Sequence, residues 1–302
     1  MYWPRQLDFT IVLPEPPSLM FATAFVRFYR FFHGRLHLRG AGALIRFAAR
    51  WLPSLQAYPY QLPEVGTVIM DFRDASSCGM VNVSMGELGS AGFMLKLLTR
   101  CTKPGDVVWD VGANLGWVSS YMAHPRFGLA SIQAFEPNPT AYRPLQSLFA
   151  QHSLVKVHPF GLANANTKAE LSIDPESTQV SSLRHKVSPR HTVPVQLRRG
   201  DDVQRELGLP LPNAIKIDVE GFEPEVMNGL RETIARSRPV ILLEYQFLTD
   251  EEIHQMVPTG YDILLMLDDD TLTSDFKKRS LGHDAVLFPK ENAAWLEGVP
   301  RA

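Results

Sequence analysis

From about residue 91 onward, short apolar runs alternate with stretches of helical character, and that rhythm leaves few folds open. The runs are Val107–Trp109, Ser131–Phe135, Val155–His158, Ala214–Val219, Val240–Leu243, Ile263–Met266 and Ala285–Phe288. Each is too short for a stable helix and bounded by turn residues, so each reads as a strand. Strands that alternate with helices build a largely parallel sheet covered on both faces, a doubly wound α/β fold. Helices are expected over Phe93–Cys101, after Asn114, and over Thr140–Gln151, with Pro144 in the first turn of the last. A chain of 302 residues can bury one large core with an appendage.

The appendage is N-terminal. Phe21, Phe25, Phe28 and Phe32 share one helical face, and Leu44, Phe47, Ala48 and Trp51 repeat the spacing after Gly40 and Gly42. Arg27, Arg30, Arg35, Arg39, Arg46 and Arg50 accompany them. Residues 1–60 carry a net charge of +5 and the remainder −7, against −2 for the whole chain. Core packing is the plain reading of this aromatic stripe; a peripheral membrane or lipid-linked substrate contact through residues 18–52 is the alternative. Pro53, Pro59 and Pro63 mark a linker, and residues 65–85 read as a short β excursion, Val68–Phe72 and Met80–Val83 about a turn. The division expected is thus a basic, aromatic helical segment at 1–60, a β excursion at 61–90 and a catalytic domain at 91–302. The basic segment over an acidic remainder predicts a substrate-gripping lid or a homodimer contact.

Bulk properties exclude several classes. A net charge of −2 gives no nucleic-acid signal. Cys78 and Cys101 form no CxxC pair, so neither a zinc knuckle nor a disulfide framework is indicated. The start lacks the basic-then-apolar order of a signal peptide, and no run of 18 uncharged apolar residues occurs. A cytoplasmic location is expected, with attachment to the inner face of a membrane as the variant.

Three segments carry chemistry. In Val107–Gly116 an apolar strand ends at Asp110, and a small-residue turn containing Gly112 and Gly116 opens a helix, as in a nucleotide-binding first βα unit. The pattern DxGxNxG departs from the GxGxxG that cradles a pyrophosphate. It suits S-adenosylmethionine (SAM), whose carboxylate can accept backbone N–H bonds and whose positive groups favour an acid such as Asp110. Gly112 is expected to let the backbone approach the ligand, and Gly116 to let helix pack on strand. Glu136, ending the next strand before Pro137 and Asn138, is placed to hold ribose hydroxyls. In Ala214–Gly221, Lys216, Asp218 and Glu220 alternate with apolar residues, so all three are expected on one strand face. Such charges are costly unless paired, and the two acids point toward the ligand crevice.

The segments WDVGANLGWVSSYMA, FEPNPTAY, IKIDVEGFEPEVMNGL and RPVILLEYQ, in this order, resemble the FkbM-type methyltransferase family over roughly residues 80–290. The resemblance implies a class I fold with seven strands ordered 3-2-1-4-5-7-6, the seventh antiparallel. It implies SAM held by Asp110, Gly112, Ala113, Asn114 and Gly116 and by Glu136 with Pro137 and Asn138. Glu87 would approach the methionine end, and Phe160-Gly161-Leu162 the adenine. Ser181 and Ser182 match a serine-containing segment of the family. Trp117 departs from the pattern and is expected to narrow the entrance.

The resemblance further implies O-methylation of a sugar, glycan or natural-product hydroxyl, in which Asp218, or secondarily Glu220, takes the hydroxyl proton beside Lys216. His283 is a weaker candidate base. A divalent cation between Asp218 and Glu220 is weighed and not assigned, because two carboxylates on one strand do not make a site. A nicotinamide-dependent oxidoreductase and a non-catalytic glycan- or lipid-interaction protein remain the alternative readings.

Overall fold

The computed structural model describes residues 17–35, 40–62, 66–74, 77–78, 81, 89–174, 177–184 and 191–302. Helix α1 spans Pro17–Tyr29 and runs into a π-helical turn at Arg30–Arg35; α2 spans Ala41–Trp51 and α3 Pro53–Gln56. Strands β1 (Tyr58–Leu62) and β2 (Gly66–Met70) pair antiparallel, with Pro59 opposite Ile69. β2 overlaps the expected strand Val68–Phe72, whereas of the expected Met80–Val83 only Val81 is among the described residues; two of the three supposed linker prolines are built into elements. Pro53 opens α3, where its missing N–H costs nothing. Pro59 is tolerated because a two-stranded ribbon leaves each strand one unpaired edge.

The main sheet comes after α4 (Gly89–Cys101). Its strands are β3 (Val107–Val111), β4 (Ser131–Phe135), β5 (Val155–His158), β10 (Ala214–Ile217), β11 (Val240–Glu244), β12 (Tyr261–Met266), β13 (Leu272–Thr273) and β14 (Asp284–Pro289). They lie in the order β13-β12-β14-β11-β10-β3-β4-β5. The five strands from β11 to β5 are parallel, and β14 runs antiparallel to both β11 and β12. The sheet has eight strands where seven are expected. The addition is β13, a two-residue edge strand on Leu265 and Met266, too short to register as an apolar run.

Alternation along the strands sends side chains to opposite faces. Val108, Ile132, Leu242 and Val286 enter one core with Leu97 and Leu98 of α4 and with Met122 of α5 (Trp117–Met122). Trp109, Ile215, Ile217, Ile241 and Leu243 enter the other, against Val226 of α8 (Glu223–Gly229) and Ile234 of α9 (Arg231–Ser237). Each of these residues is almost completely buried.

No strand is expected from the sequence between residues 159 and 213. A second, four-stranded sheet occupies this region: β6 (Gly161–Ala163), β7 (Thr167–Asp174), β8 (Ser177–Ser182) and β9 (Thr192–Arg199), in the order β6-β9-β7-β8. It continues into α7 (Gly200–Glu206). Its small core comprises Ala163, Leu171, Val195 and Leu197, too few apolar positions to show a clear period.

Helix α6 covers Pro139–Leu148 and is capped by Asn138, whose Oδ1 accepts from the Thr140 N–H at 3.0 Å. Pro139, not Pro144, is the proline of the first turn; Pro144 lies inside the helix and removes one intrahelical bond. The N-terminal elements enclose a third core around Val26, Ile45, Leu55 and Phe72, which packs on Leu115, Trp117 and Leu148 of the main domain.

Candidate active site

The turn after β3 is clamped by its neighbours. The Gly112 and Ala113 N–H groups both donate to the Phe135 carbonyl at 3.0 Å, which binds the turn to the end of β4. Gly112 has a φ of 76°, and a Cβ there would overlap the Asp218 carbonyl oxygen. The glycine thus admits the backbone that follows β10. Gly116, at a φ of 83°, faces Leu145 and Phe149, so it brings the turn against α6 rather than against a strand. Asn114 completes the turn in the left-handed region at a φ of 50°, which asparagine tolerates better than most residues.

Asp110 is fully buried. Its Oδ2 accepts from the Ser119 N–H at 3.1 Å and the Ser119 hydroxyl at 2.6 Å. Its Oδ1 has no hydrogen-bond partner and lies 3.5 Å from the Lys216 ammonium. Asp110 thereby ties the first turn of α5 to β3.

Glu136 closes β4 and is 6% exposed. One carboxylate oxygen accepts from the Asn114 N–H at 2.8 Å and the other from the Asn138 N–H at 2.7 Å. Burial pushes its carboxyl up to about 7, against those two donors, which pull it down. Pro137 packs beside Gly161, and Asn138 also donates to the Ser181 hydroxyl at 3.2 Å. Gly161 and Leu162 are buried in β6, next to Phe160 and near the stacked pair Phe135–His158. Glu87 lies outside the described residues.

Strand β10 ends at Ile217, two residues earlier than expected. Only Lys216 is on the strand; Asp218 and Glu220 belong to the turn beyond it, where Glu220 has a φ of 55° and Gly221 one of 98°. A non-glycine residue held in this region stores strain and needs outside support. The Ser182 hydroxyl supplies it, donating to the Glu220 carbonyl at 2.8 Å, while Arg184 donates to the Gly221 carbonyl at 3.4 Å. The serine segment thus braces the turn.

Lys216 is the hub. Its Nζ donates to the Gly112 carbonyl at 2.7 Å and lies 3.4 Å from Asp218. Burial would push its ammonium down, but the Asp218 and Asp110 charges outweigh that and hold it raised.

Three acids that sequence reasoning missed surround the turn. Glu244 ends β11, and Asp284 opens β14 directly opposite it. Glu223 opens α8 and accepts from the Val219 N–H at 3.0 Å. Burial, then the charges of Asp218 and Glu223, push the Glu220 carboxyl up to about 8. Burial and the surrounding acids likewise hold Glu244 well above the usual carboxylate range. Carboxylate oxygens of Asp218, Glu220 and Glu244 lie within 4.8 Å of one another, close enough to share a cation. A signal for Glu244 was present in the sequence, as a lone acid closing an otherwise apolar strand; Asp284 similarly precedes one. His283 is exposed, with its carbonyl accepting from the Tyr245 N–H.

The sequence profile of the methyltransferase FkbM domain matches residues 110–273, more than half of the chain, from Asp110 through Glu136 and the Lys216–Gly221 run to Glu244. The chain belongs to the FkbM methyltransferase family. Its fold is accordingly the methyltransferase-like arrangement of a mixed sheet flanked by helices. Hexuronic acid methyltransferase AglP of Haloferax volcanii is 27% identical over 199 residues, 66% of this chain and 77% of that protein. The 31-O-demethyl-FK506 methyltransferase FkbM of Streptomyces tacrolimicus is 24% identical over 162 residues, 43% of this chain and 61% of that one. The crystal structure of methyltransferase FkbM from Methylobacillus flagellatus superposes with a TM-score of 0.42 at 15% identity, covering 79% of this chain and 59% of that chain.

Proposed function

We propose that this FkbM-family methyltransferase uses SAM to methylate a hydroxyl of a sugar, glycan or natural-product acceptor. The observation that carries the reading is Lys216, one buried ammonium joined to both the Gly112 turn and the Asp218 acid cluster. It puts a nucleoside-type turn and a set of proton acceptors at the same end of the sheet, where ligands of doubly wound folds bind. The two named relatives support the acceptor class: one is named for a hexuronic acid and the other for 31-O-demethyl-FK506.

The residues fit the donor in part. Glu136, a carboxylate fixed by two N–H groups, would receive a ribose diol. The Gly112–Gly116 turn beside it would take the amino-acid end. Asp110 is a positioning residue, holding Ser119 and Lys216 in place. When bound, SAM supplies a methyl group on a positive sulfur. Forming the new O–CH₃ bond breaks the C–S bond, and the acceptor proton must leave during attack.

Asp218 takes that proton. Its side chain is 39% exposed while Lys216 holds it against the donor turn. Glu220, raised to about 8, keeps its own proton at neutral pH and presents a donor to the acceptor's neighbouring oxygen.

The test is transfer of labelled methyl from SAM into fractionated glycan, lipid and metabolite pools, combined with calorimetry of S-adenosylhomocysteine. Asp218→Asn should keep product-nucleoside affinity and lose about 10²-fold or more of turnover. Glu136→Gln should lose about ten-fold or more in that affinity, the scale of a hydrogen bond to a charged group. Absence of nucleoside binding by the wild type would overturn the reading; full turnover by Asp218→Asn would move the base to another acid.

A further inference from the structure

Nine large hydrophobic side chains are exposed among the described residues, and seven of them fall within residues 20–51: Met20, Phe21, Phe28, Phe31, Leu44, Phe47 and Trp51. Such clustering separates them from the scattered exposed apolar residues of any soluble surface. Helix α2 shows the geometry most clearly. Ile45 and Ala49 face the third core and are at most 2% exposed, whereas Leu44, Phe47 and Trp51 form a stripe on the opposite side, up to 75% exposed. The arrangement on α1 is similar, with Ala22, Val26 and Tyr29 buried and Phe21 and Phe28 exposed. Both helices are therefore apolar on two faces, and the protein covers only one. Core packing accounts for half of the aromatic pattern and leaves the outer half unexplained.

Charge identifies the kind of surface that the outer face fits. Between Glu15 and Glu64 the sequence has no acid, while it carries six arginines. Arg27 and Arg30 are exposed in α1 and the turn after it, beside the aromatic residues. An aromatic stripe flanked by arginines without a balancing acid has the composition of an interfacial element, whose rings enter the headgroup boundary while guanidinium groups meet anionic lipid. A second copy of this chain would instead bring arginine against arginine across a two-fold axis.

We propose that the outer face of α1 and α2 docks on an anionic membrane surface, holding the enzyme there as a peripheral protein. No helix among the described residues is long and apolar enough to cross a membrane, so the attachment is interfacial. The underside of the same block packs on Leu115 and Trp117, next to the Gly112–Gly116 turn. Docking by this face therefore holds the active-site end of the sheet close to the bilayer and suits an acceptor carried on a lipid. The proposal stands on surface composition and holds whichever group the enzyme transfers.

The experiment is co-sedimentation of the full chain with vesicles of phosphatidylcholine alone and of equal parts phosphatidylcholine and phosphatidylglycerol. Binding to the mixed vesicles only, weakened by added salt, is expected. Phe47→Ser with Trp51→Ser should reduce it by more than ten-fold. Arg27→Gln with Arg30→Gln should reduce it about five-fold per arginine. Because all four side chains are exposed, unchanged circular dichroism and S-adenosylhomocysteine affinity are expected and show that the variants fold. Trp51 emission should shift to the blue on mixed vesicles, and Trp51→Phe should remove that shift while leaving binding nearly intact. No binding to the mixed vesicles, or binding indifferent to both double variants, would overturn the proposal. So would a dimer in sedimentation equilibrium that the Phe47 and Trp51 substitutions dissociate, since the face would then be covered by a second copy.

Discussion

Glu136 shows how one side chain couples site chemistry to stability. Unfolded, its carboxyl ionises near the ordinary glutamate value of about 4.3; folded, burial moves it to about 7. Between those values the folded state holds a proton that the unfolded state has released, so stability falls as pH rises through the window and is fully present only below it. Each unit of such a rise costs about 1.4 kcal/mol. Urea denaturation at pH 5 and pH 7.5 should therefore show a shallower pH dependence for Glu136→Gln than for the wild type; identical slopes would mean that Glu136 is ionised throughout. Asp110 makes a complementary case. Its presence at a strand end was readable, but its partner Ser119 was not, because the pairing depends on how α5 is seated. Ser119→Ala removes the 2.6 Å bond to a buried carboxylate and should cost about 1.5–3 kcal/mol in denaturant unfolding.

At the scale of elements, the ends of strands matter more than their middles. The apolar middles of β3, β4, β10 and β11 announced themselves as runs of valine, isoleucine and leucine. The path of the chain beyond each middle is set by contact: Asp218 and Glu220 read as part of a strand face, yet Gly112 admits the Asp218 carbonyl and the chain turns there. The same kind of contact joins the two sheets. Gly229 ends α8, and a Cβ on it would overlap the Ala163 carbonyl oxygen of β6. Replacing a helical glycine by alanine usually stabilises by about 1 kcal/mol. Here the overlap should reverse the sign, and Gly229→Ala should lose roughly 1–3 kcal/mol. A higher melting temperature for that variant would show that α8 can move away from β6.

Across the whole molecule, the N-terminal block is more than an appendage. Its core packs on Trp117, which also packs on the main core and so forms a wedge between two hydrophobic units. Ile45→Ala, at a position 2% exposed, should cost about 2–5 kcal/mol of the block's local stability. Hydrogen exchange should then accelerate in α1, α2 and β2 and around Trp117 while β10, β11 and β14 keep their protection. Uniform acceleration would instead mean that the block and the sheet unfold together.

Strand-forming runs, the glycine turn after Asp110, the acids closing β3 and β4 and the Lys216–Gly221 motif are all local in sequence. Local pattern alone determined the doubly wound class and the family. Packing between distant segments decided the rest: that Asp110 faces inward, that Glu244 and Asp284 meet across β11 and β14 beside Asp218, and that the aromatic helices bury only one of their two apolar faces. Periodicity reports that a side chain lies on a face, while burial, and with it charge state and accessibility, depends on what the folded chain lays against that face.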